Sequence, residues 1–321
     1  MRVVFMGTPD FAVGSLQALA ESGKYDIAAV VTQPDRPKGR GRKIVMSPVK
    51  EYALMHAYEV YQPERIKNSD FVEVLRRLSP DIIVVAAFGQ LLSKDILDLP
   101  RYGCINVHAS LLPKYRGAAP IQYAIINGEK ETGVTIMQMD VGMDTGAMLG
   151  KIRVAVGENM TLGELHDELR DKGAELLLDV MGEIERGSAV AEPQDSSAAT
   201  YARMLDRSME KIDWHKPVAE LHNYVRGFDP APGMFTLLPD GRSIKLFSSR
   251  VSSMTSSCEP GTVVAVSKRS FCVACGDGVL EFLEVQPESK KRIESGVFLN
   301  GRGVRQGDIL GRCRVNDGSD F

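Results

Sequence analysis

The sequence predicts an α/β domain with a doubly wound, mostly parallel sheet, followed by a small β-barrel. In the first half, short apolar runs alternate with amphipathic segments, the pattern of a parallel sheet covered by helices. After a stretch rich in Ser and Ala, short β runs are separated by Gly and Pro, which is typical of a small barrel or sandwich. The length of 321 residues favours two domains.

The first half of the chain contains the predicted α/β elements. The run at 82–87 is apolar throughout, as expected for a central parallel strand buried on both faces. Thr8 is predicted to cap the first helix, with Pro9 in its first position. The predicted strands are 3–6, 27–31, 58–61, 82–87, 105–108, 134–139 and 147–156. The predicted helices are 11–19, 71–78, 120–126 and 162–185.

The second half contains one predicted helix, 217–226, among short strands. An oligonucleotide-type (OB-like) barrel is one candidate for their arrangement. We therefore predict an α/β domain at 1–187, a linker at 188–207 and a β-barrel domain at 208–321. The predicted strands of the barrel are 234–238, 243–247, 261–267, 271–274, 279–285 and 308–315.

The turn after the first strand argues against a nicotinamide cofactor. A dinucleotide-binding turn has the pattern G-x-G-x-x-G, whereas this strand leads into Gly7-Thr8-Pro9-Asp10-Phe11. Pro9 removes a backbone N–H from the place where pyrophosphate would bind. The α/β domain is therefore expected to bind another kind of ligand.

Cysteine usage and hydropathy indicate a cytoplasmic protein. Five cysteines, an odd number without a regular framework, are typical of a reducing compartment. Cys272 and Cys275 have the C-x-x-C spacing of metal sites, but no second pair or nearby His completes one, so no metal is expected. No window approaches the roughly 20 apolar residues of a membrane span. The chain runs directly from Met1 into a predicted strand, with no apolar leader expected.

Asn106 and His108 lie at the end of the strand predicted at 105–108. Side chains two residues apart on a strand project from the same face, so an amide and an imidazole are expected side by side. Open α/β sheets bind ligands at the carboxyl ends of their strands. An Asn amide can donate to a developing oxyanion, and a His can change charge near neutral pH. A core His beside a capping Asn is the alternative interpretation of the pair alone.

A second acidic loop, Asp140–Gly146, lies between two predicted strands. Its carboxylates suit a calcium loop, a simple Asx-type turn or a catalytic acid. The calcium interpretation fails because an EF-type loop needs several more oxygen ligands at fixed spacing. Asp144 would orient His108 and favour its imidazolium form if the loop folds back over the strand.

These motifs together resemble the 10-formyltetrahydrofolate-dependent formyltransferases. Asn106, His108 and Asp144 match that family's catalytic Asn, His and Asp, and the D-x-G-x-D-x-G pattern matches Asp140–Gly146. The resemblance implies a Rossmann-like formyltransferase core that binds 10-formyltetrahydrofolate as co-substrate, without a metal. The residues that it implies for the folate site are Phe88, Gly89, Gln90, Leu91, Leu92, Ser110, Leu111, Leu112, Pro113 and Asp140.

Within this family the whole chain resembles the members that formylate methionyl initiator tRNA. Local support comes from the loop 33–48, where five cations occur among the eight residues 36–43. Such a run is either a solvated charged surface or a phosphate-binding loop, in which an Arg can also read a base edge. Similarity to the family's acceptor-stem-binding insertion favours the second interpretation, with Arg42 the strongest single candidate. The implied tRNA-binding residues are Arg36, Lys38, Arg40, Arg42 and Lys43.

The expected function is therefore formyl transfer to the α-amino group of methionyl initiator tRNA. The alternatives are a formyltransferase acting on a nucleotide-sugar amine or glycinamide ribonucleotide, and a non-catalytic RNA-binding module. The basic loop argues against the first, and the complete set of Asn106, His108 and Asp144 argues against the second. The net charge of −3 indicates that any nucleic-acid surface is local. No heptad pattern is evident, so a monomer is expected.

Overall fold

The computed structural model describes residues 1–38, 43–301 and 303–312, with Lys38 and Lys43 described by their backbone alone. The chain divides into two compact units. The N-terminal unit comprises Met1–Ile121, Glu131–Ala155 and His166–Arg203. The C-terminal unit comprises Gln122–Lys130, Val156–Leu165 and the described part of Met204–Phe321.

The elements up to residue 203 follow the predicted alternation of strands and helices. The strands are β1 (Arg2–Gly7), β2 (Asp26–Val31), β3 (Arg36–Lys38), β4 (Lys43–Val45), β5 (Val60–Tyr61), β6 (Ile82–Ala86), β7 (Cys104–His108), β8 (Arg116–Gly117), β9 (Glu131–Gln138), β10 (Met148–Ala155) and β11 (Tyr201–Ala202). The helices are α1 (Asp10–Glu21), α2 (Pro48–Met55), α3 (Ser69–Leu78), α4 (Lys94–Leu97), α5 (Pro120–Ile126) and α6 (Leu162–Arg186).

Seven of these strands form one sheet in the order β10-β9-β7-β6-β1-β2-β5. The strands from β7 to β5 are parallel, while β9 runs antiparallel to both β7 and β10. All five residues of β6 are buried, as its unbroken apolar sequence requires for a central strand. The doubly wound, mostly parallel sheet is therefore confirmed. The order of strands reverses between β1 and β6, and open α/β sheets generally bind ligands at the carboxyl ends of strands at such a point.

The start of α1 differs from the sequence prediction. Pro9, with extended backbone, is the N-cap residue, and no side chain caps the helix. Thr8 lies one residue too early to cap it, and its hydroxyl instead donates a hydrogen bond of 3.1 Å to the carbonyl of Phe88. The capping prediction was wrong because this hydroxyl joins the end of β1 to the loop after β6.

The stretch predicted as a linker contains paired backbone. Strand β11 pairs in parallel with β8, and Glu192 forms an isolated bridge with Met148. The N-terminal unit includes this stretch as far as Arg203. The domain bounds at 187 and 208 stay a prediction.

From Met204 onward, the described residues of the C-terminal unit form an antiparallel sheet with two α-helices. Its strands pair in the order β12-β13-β16-β15-β14, with β17 on β16, which agrees with the predicted β-rich second domain. The buried Trp214 lies in its core and donates from Nε1 to Thr236 Oγ1 at 3.2 Å. The elements are α7 (Val218–Gly227), α8 (Ser295–Asn300), β12 (Met234–Leu237), β13 (Ser243–Val251), β14 (Val263–Val266), β15 (Phe271–Ala274), β16 (Val279–Pro287) and β17 (Ile293–Glu294).

The strand predicted at 308–315 is not formed in its described part, where Ile309 makes one isolated bridge to Thr262. Its residues from 313 onward lie outside the described part of the chain. No helix among the described residues has the length and hydropathy needed to cross a membrane.

Candidate active site

Strand β7 presents the two polar side chains identified in the sequence. It lies between β6 and β9, with Asn106 opposite Val85 on one side and Met137 on the other. His108 is the last residue of the strand, and its side chain is 6% exposed. Asn106 is half-buried. Both side chains therefore reach the carboxyl end of the sheet with little access to water.

Asp144 meets both side chains from the loop between β9 and β10. Its Oδ1 lies 3.5 Å from Nδ2 of Asn106, and its Oδ2 lies 3.7 Å from Nδ1 of His108. The backbone N–H of Gly117 donates to Oδ2 at 2.8 Å and holds the carboxylate in place. The structure thus brings Asp144, which is distant in sequence, to the pair of Asn106 and His108. The His–Asp distance exceeds a hydrogen bond, as is common for catalytic contacts without substrate.

The second ring nitrogen of His108 is held by the backbone. Nε2 lies 3.0 Å from the carbonyl oxygen of Tyr115, which can only accept, so Nε2 carries a proton. Nδ1 then faces the carboxylate of Asp144. An imidazolium satisfies both contacts at once, because it donates from both nitrogens. At 3.7 Å the contact from Nδ1 to Asp144 is too long for a hydrogen bond, so Nδ1 is the ring nitrogen left to donate to an oxygen that develops negative charge nearby.

The loop that carries Asp144 is shaped by Asp140. Oδ1 of Asp140 accepts hydrogen bonds from the N–H of Gly142 at 3.0 Å and from the hydroxyl of Thr145 at 2.6 Å. These contacts form an Asx-type turn, one of the interpretations that the sequence left open. Of the two carboxylates in the loop, it is Asp140 that forms this turn. Asp144 has a φ of 53°, a left-handed conformation that Asp tolerates better than most residues.

Gly146 is required by a close approach of this loop to β9. A Cβ at this position would lie 1.8 Å from the carbonyl oxygen of Gln138. Replacing Gly146 by Ala is therefore expected to displace the loop with Asp144 and to lower kcat at least tenfold. Gly157→Ala is the matched control, because its Cβ would meet nothing closer than 3.6 Å. Steady-state kinetics check the prediction, and equal kcat values for the two variants would contradict it.

The loop after β6 lies at the crevice between β1 and β6. The carbonyl of Phe88 accepts from Gln33 Nε2 at 3.2 Å as well as from Thr8. The side chain of Gln90 accepts from the N–H of Ile66 at 2.8 Å and donates to the carbonyl of Pro63 at 3.3 Å. Phe88 and Leu92 are buried, whereas Gly89 and Leu91 are exposed. Of the predicted folate residues in this loop, Phe88, Gln90 and Leu92 hold the loop in place. Gly89 and Leu91 face solvent.

The segment that follows β7 is held by hydrogen bonds between side chains and backbone. The buried hydroxyl of Ser110 donates to the carbonyl of Lys114 at 2.6 Å. Thr135 Oγ1 accepts from the N–H of Leu112 at 3.1 Å and donates to the carbonyl of Ser110 at 2.7 Å. Leu111 and Pro113 are half-buried, and the Leu112–Pro113 peptide is cis. Ser110 and Leu112 therefore hold this segment, whereas Leu111 and Pro113 keep part of their surface exposed.

Comparison with known proteins identifies the family. The model of the formyl transferase family matches residues 1–181, and that of the formyl transferase C-terminal domain matches residues 204–303. The chain is 50% identical over 310 residues to the methionyl-tRNA formyltransferase of Agathobacter rectalis, covering 97% of this chain and 99% of that protein. The chain belongs to the methionyl-tRNA formyltransferase family. The methionyl-tRNA formyltransferase of Lachnospira eligens is likewise 50% identical over 316 residues, covering 97% and 100% of the two chains.

Solved structures outside the methionyl-tRNA formyltransferase family share the fold. An N-formyltransferase from Helicobacter canadensis, in complex with folinic acid and dTDP-3-aminofucose, superimposes with a TM-score of 0.63 at 19% identity. The match covers 89% of this chain and 98% of that structure. At this identity the likeness concerns the fold alone.

The basic loop of this methionyl-tRNA formyltransferase family member contains a short hairpin. Strands β3 and β4 pair antiparallel, with Lys38 opposite Lys43. Arg36, at the start of β3, is exposed, as is Ile44 in β4, at 73%. Two of the predicted tRNA-binding residues, Arg40 and Arg42, lie outside the described residues.

A polar cluster at the base anchors this hairpin. Nζ of Lys50 lies 2.5 Å from Asp35 Oδ2 and 2.6 Å from Gln62 Oε1, and Gln62 Nε2 donates to Asp35 Oδ1 at 2.8 Å. The hydrogen bonds from Lys50 and Gln62 hold the pKa of the Asp35 carboxyl below its usual value. Gln62 also donates to the backbone carbonyl of Gln33 at 2.9 Å. The chain therefore enters the hairpin from a fixed position.

Cys272 and Cys275, which have the C-x-x-C spacing, are both buried. Burial raises the pKa of Cys275 to about 12 and also raises that of Cys272, so both stay protonated.

Among the described residues, the group with metal-ligand geometry is Asp10, His166 and Asp167. Both carboxylates are exposed and pair with Arg170. This cluster is an ion-pair network on the protein surface.

Sequence reasoning missed the groups that hold His108 and Asp144. Tyr115 supplies the carbonyl for His108, and Gln194 donates to the backbone of the Asp144 loop at 2.8 Å. Tyr115 has a positive φ of 60°, which no sequence pattern announced. Gln194 lies in the stretch predicted as a linker, where a single Gln carries no signal.

Proposed function

We propose that this chain transfers the formyl group of 10-formyltetrahydrofolate to the α-amino group of methionyl initiator tRNA, and that Asn106, His108 and Asp144 are its catalytic residues. The observation that carries the proposal is the convergence of these three side chains at the carboxyl end of β7. The close similarity to methionyl-tRNA formyltransferases over nearly the full chain supports the substrate.

The chemistry requires an oxyanion donor and a proton acceptor. An α-amino group has a pKa near 8, so a usable neutral fraction exists at neutral pH. As this nitrogen attacks the formyl carbon, a new C–N bond forms and the carbonyl oxygen becomes an oxyanion. Asn106 Nδ2 and protonated His108 donate to that oxygen. The ammonium proton passes to the His108–Asp144 pair. The oxyanion then reforms the C=O bond as the bond to the folate nitrogen breaks, and the pair returns the proton to that nitrogen, so that tetrahydrofolate leaves as a neutral amine.

The co-substrate is proposed to lie in the crevice between the loop after β6 and the segment after β7. Gly89, Leu91, Leu111 and Pro113 would contact it, because these residues have exposed surface. Five other residues would hold the loop after β6 and the segment after β7 in place, through their hydrogen bonds and burial: Phe88, Gln90, Leu92, Ser110 and Leu112. Asp140 would act through the shape of its loop.

The hairpin at 36–45 is proposed as the tRNA contact. Its cations would bind phosphates, and its exposed Ile44 would pack on a sugar or a base. The cluster of Asp35, Lys50 and Gln62 would hold the base of the hairpin, so that the hairpin meets the tRNA in one orientation. Arg36, Lys38, Arg40, Arg42 and Lys43 remain the proposed tRNA-binding residues.

Replacing Arg42 by Ala is expected to raise KM for methionyl-tRNA about tenfold while kcat stays within a factor of two. A bidentate contact between an Arg and a base is typically worth about 1–3 kcal/mol. Arg76→Ala is a matched control, since it removes the same charge from an exposed helix position paired with Glu73. Unchanged tRNA kinetics in the Arg42 variant would remove the loop from recognition.

An acceptor-competition assay tests the proposed function. The purified chain and 10-formyltetrahydrofolate are incubated with methionyl initiator tRNA, a nucleotide-linked amino sugar and glycinamide ribonucleotide together. We expect formyl-methionyl-tRNA as the dominant product. Preferential formylation of either small amine would overturn the substrate, and no transfer to any acceptor would overturn the activity.

We also propose that the enzyme acts in the cytoplasm as a monomer. Every residue in the proposed reaction belongs to the N-terminal unit of one chain, so chemistry needs no second copy. Sedimentation velocity at assay concentration tests this, with a mass near 35.2 kDa expected. A stable dimer would contradict it.

A further inference from the structure

Three segments of the catalytic site meet the stretch 192–202, which we call the clasp segment. Glu192 exchanges backbone hydrogen bonds of 2.8 Å in both directions with Met148, at the start of β10. Near its other end, Thr200 Oγ1 accepts from the N–H of Tyr115 at 2.9 Å, and the carbonyl of Thr200 accepts from the N–H of Arg116 at 2.9 Å. The clasp segment therefore holds the residue whose carbonyl orients His108.

Between these two ends, Gln194 holds the loop of Asp144. Its Nε2 donates to the backbone carbonyls of Asp144 and Gly146, both at 2.8 Å. Its Oε1 accepts from Arg116, at 3.1 Å from Nε and 2.8 Å from Nη2. One amide thus joins the loop before β10 to the segment after β7.

Arg116 determines which way the amide of Gln194 points. A guanidinium has donors only, so the oxygen of the amide must face it and the NH₂ group must face the two carbonyls. Arg116 is 2% exposed, and burial fixes its planar group. The backbone carbonyl of Asp144 is therefore held by a donor whose orientation is itself fixed.

We infer that Gln194 is a positioning residue for Asp144, and that the clasp segment is a functional part of the active site. Asp144 has the left-handed backbone conformation, at φ 53°, in which its carboxylate faces His108 and Asn106. The two hydrogen bonds from Gln194 bracket the turn from Asp144 to Gly146 and stabilise that conformation. This inference rests on the proposed catalytic role of Asp144.

The test compares two substitutions of similar size. Gln194→Met removes every hydrogen bond, and Gln194→Glu keeps an acceptor for Arg116 but places an oxygen against two carbonyls. Both are expected to lower kcat about tenfold or more, with KM for both substrates within a factor of two. Gln194→Met is also expected to lower Tm, because it leaves the buried Arg116 without this acceptor, whereas Gln194→Glu keeps the acceptor and the Tm. The control is Gln17→Met, the same substitution at an exposed side chain of α1 that donates to Glu21. Wild-type kcat in both Gln194 variants would overturn the inference.

A double-mutant cycle separates positioning of Asp144 from a general structural effect. If Gln194 acts through Asp144, then Gln194→Met has little effect on kcat in the Asp144→Asn background. An equal fractional loss in both backgrounds would overturn the inference, even with the proposed function intact. A wild-type enzyme without formyl transfer would instead contradict the proposed function, so the two failures are distinguishable.

Discussion

Replacing His108 by Ala is expected to lower kcat at least a hundredfold while KM for methionyl-tRNA stays within a factor of two. The imidazole is buried, and its Nε2 is tied to the carbonyl of Tyr115, so its position is fixed before substrate binds. Removing one preorganised oxyanion donor typically costs about 3 kcal/mol, on the order of a hundredfold in rate. The hairpin at 36–45 is unchanged in this variant, so tRNA binding should persist.

Steady-state kinetics with both substrates varied check the effect of His108. His56→Ala is a suitable control, because this exposed His ends α2 and stacks on Tyr52, away from the proposed chemistry. Turnover near the wild-type value in the His108 variant would remove it from the mechanism. A rise in KM for tRNA with unchanged kcat would reassign it to binding.

Replacing Asp144 by Asn is expected to lower kcat by a factor of roughly 10² to 10⁴, the range that general acid–base groups contribute. The substitution preserves size and keeps an oxygen for the N–H of Gly117, so the fold of the loop should survive. It removes the negative charge that faces Nδ1 of His108 at 3.7 Å. The pair then loses its proton acceptor and the negative charge opposite Nδ1.

Rapid-quench measurements under single-turnover conditions separate this chemical effect from product release. Asp140→Asn serves as the comparison, because it also removes one carboxylate from the same loop. Its side chain accepts hydrogen bonds within the loop and is exposed, so the expected loss is smaller. A larger loss at Asp140 than at Asp144 would contradict the assigned roles.

The sheet was predictable because the apolar patterns in the sequence indicate which strands are buried. The continuous apolar run around β6 and the alternation through β7 indicated both the central strand and the common face of Asn106 and His108. The hairpin β3–β4 and the pair β8–β11 were not predictable. Their strands are two or three residues long, and pairing rather than composition defines them.

The meeting of Asn106, His108 and Asp144 was predictable from motifs, whereas the groups that hold these residues were not. Asn106 and His108 share a strand, and the glycines beside Asp144 mark a tight loop. The distance from Asp144 to His108 depends on Gly117 and Gln194, which are remote in sequence from that loop. The stretch around Gln194 was assigned to a linker because small polar residues dominate it, while its function depends on tertiary hydrogen bonds.

One measurement tests the central claim most directly: the single-turnover rate of formyl transfer from 10-formyltetrahydrofolate to saturating methionyl initiator tRNA. The rate is compared between the wild type and a variant that combines Asn106→Ala, His108→Ala and Asp144→Asn. We predict rapid formation of formyl-methionyl-tRNA by the wild type and a rate near background for the variant, which still binds tRNA. A variant that formylates methionyl-tRNA at the wild-type rate would contradict the account.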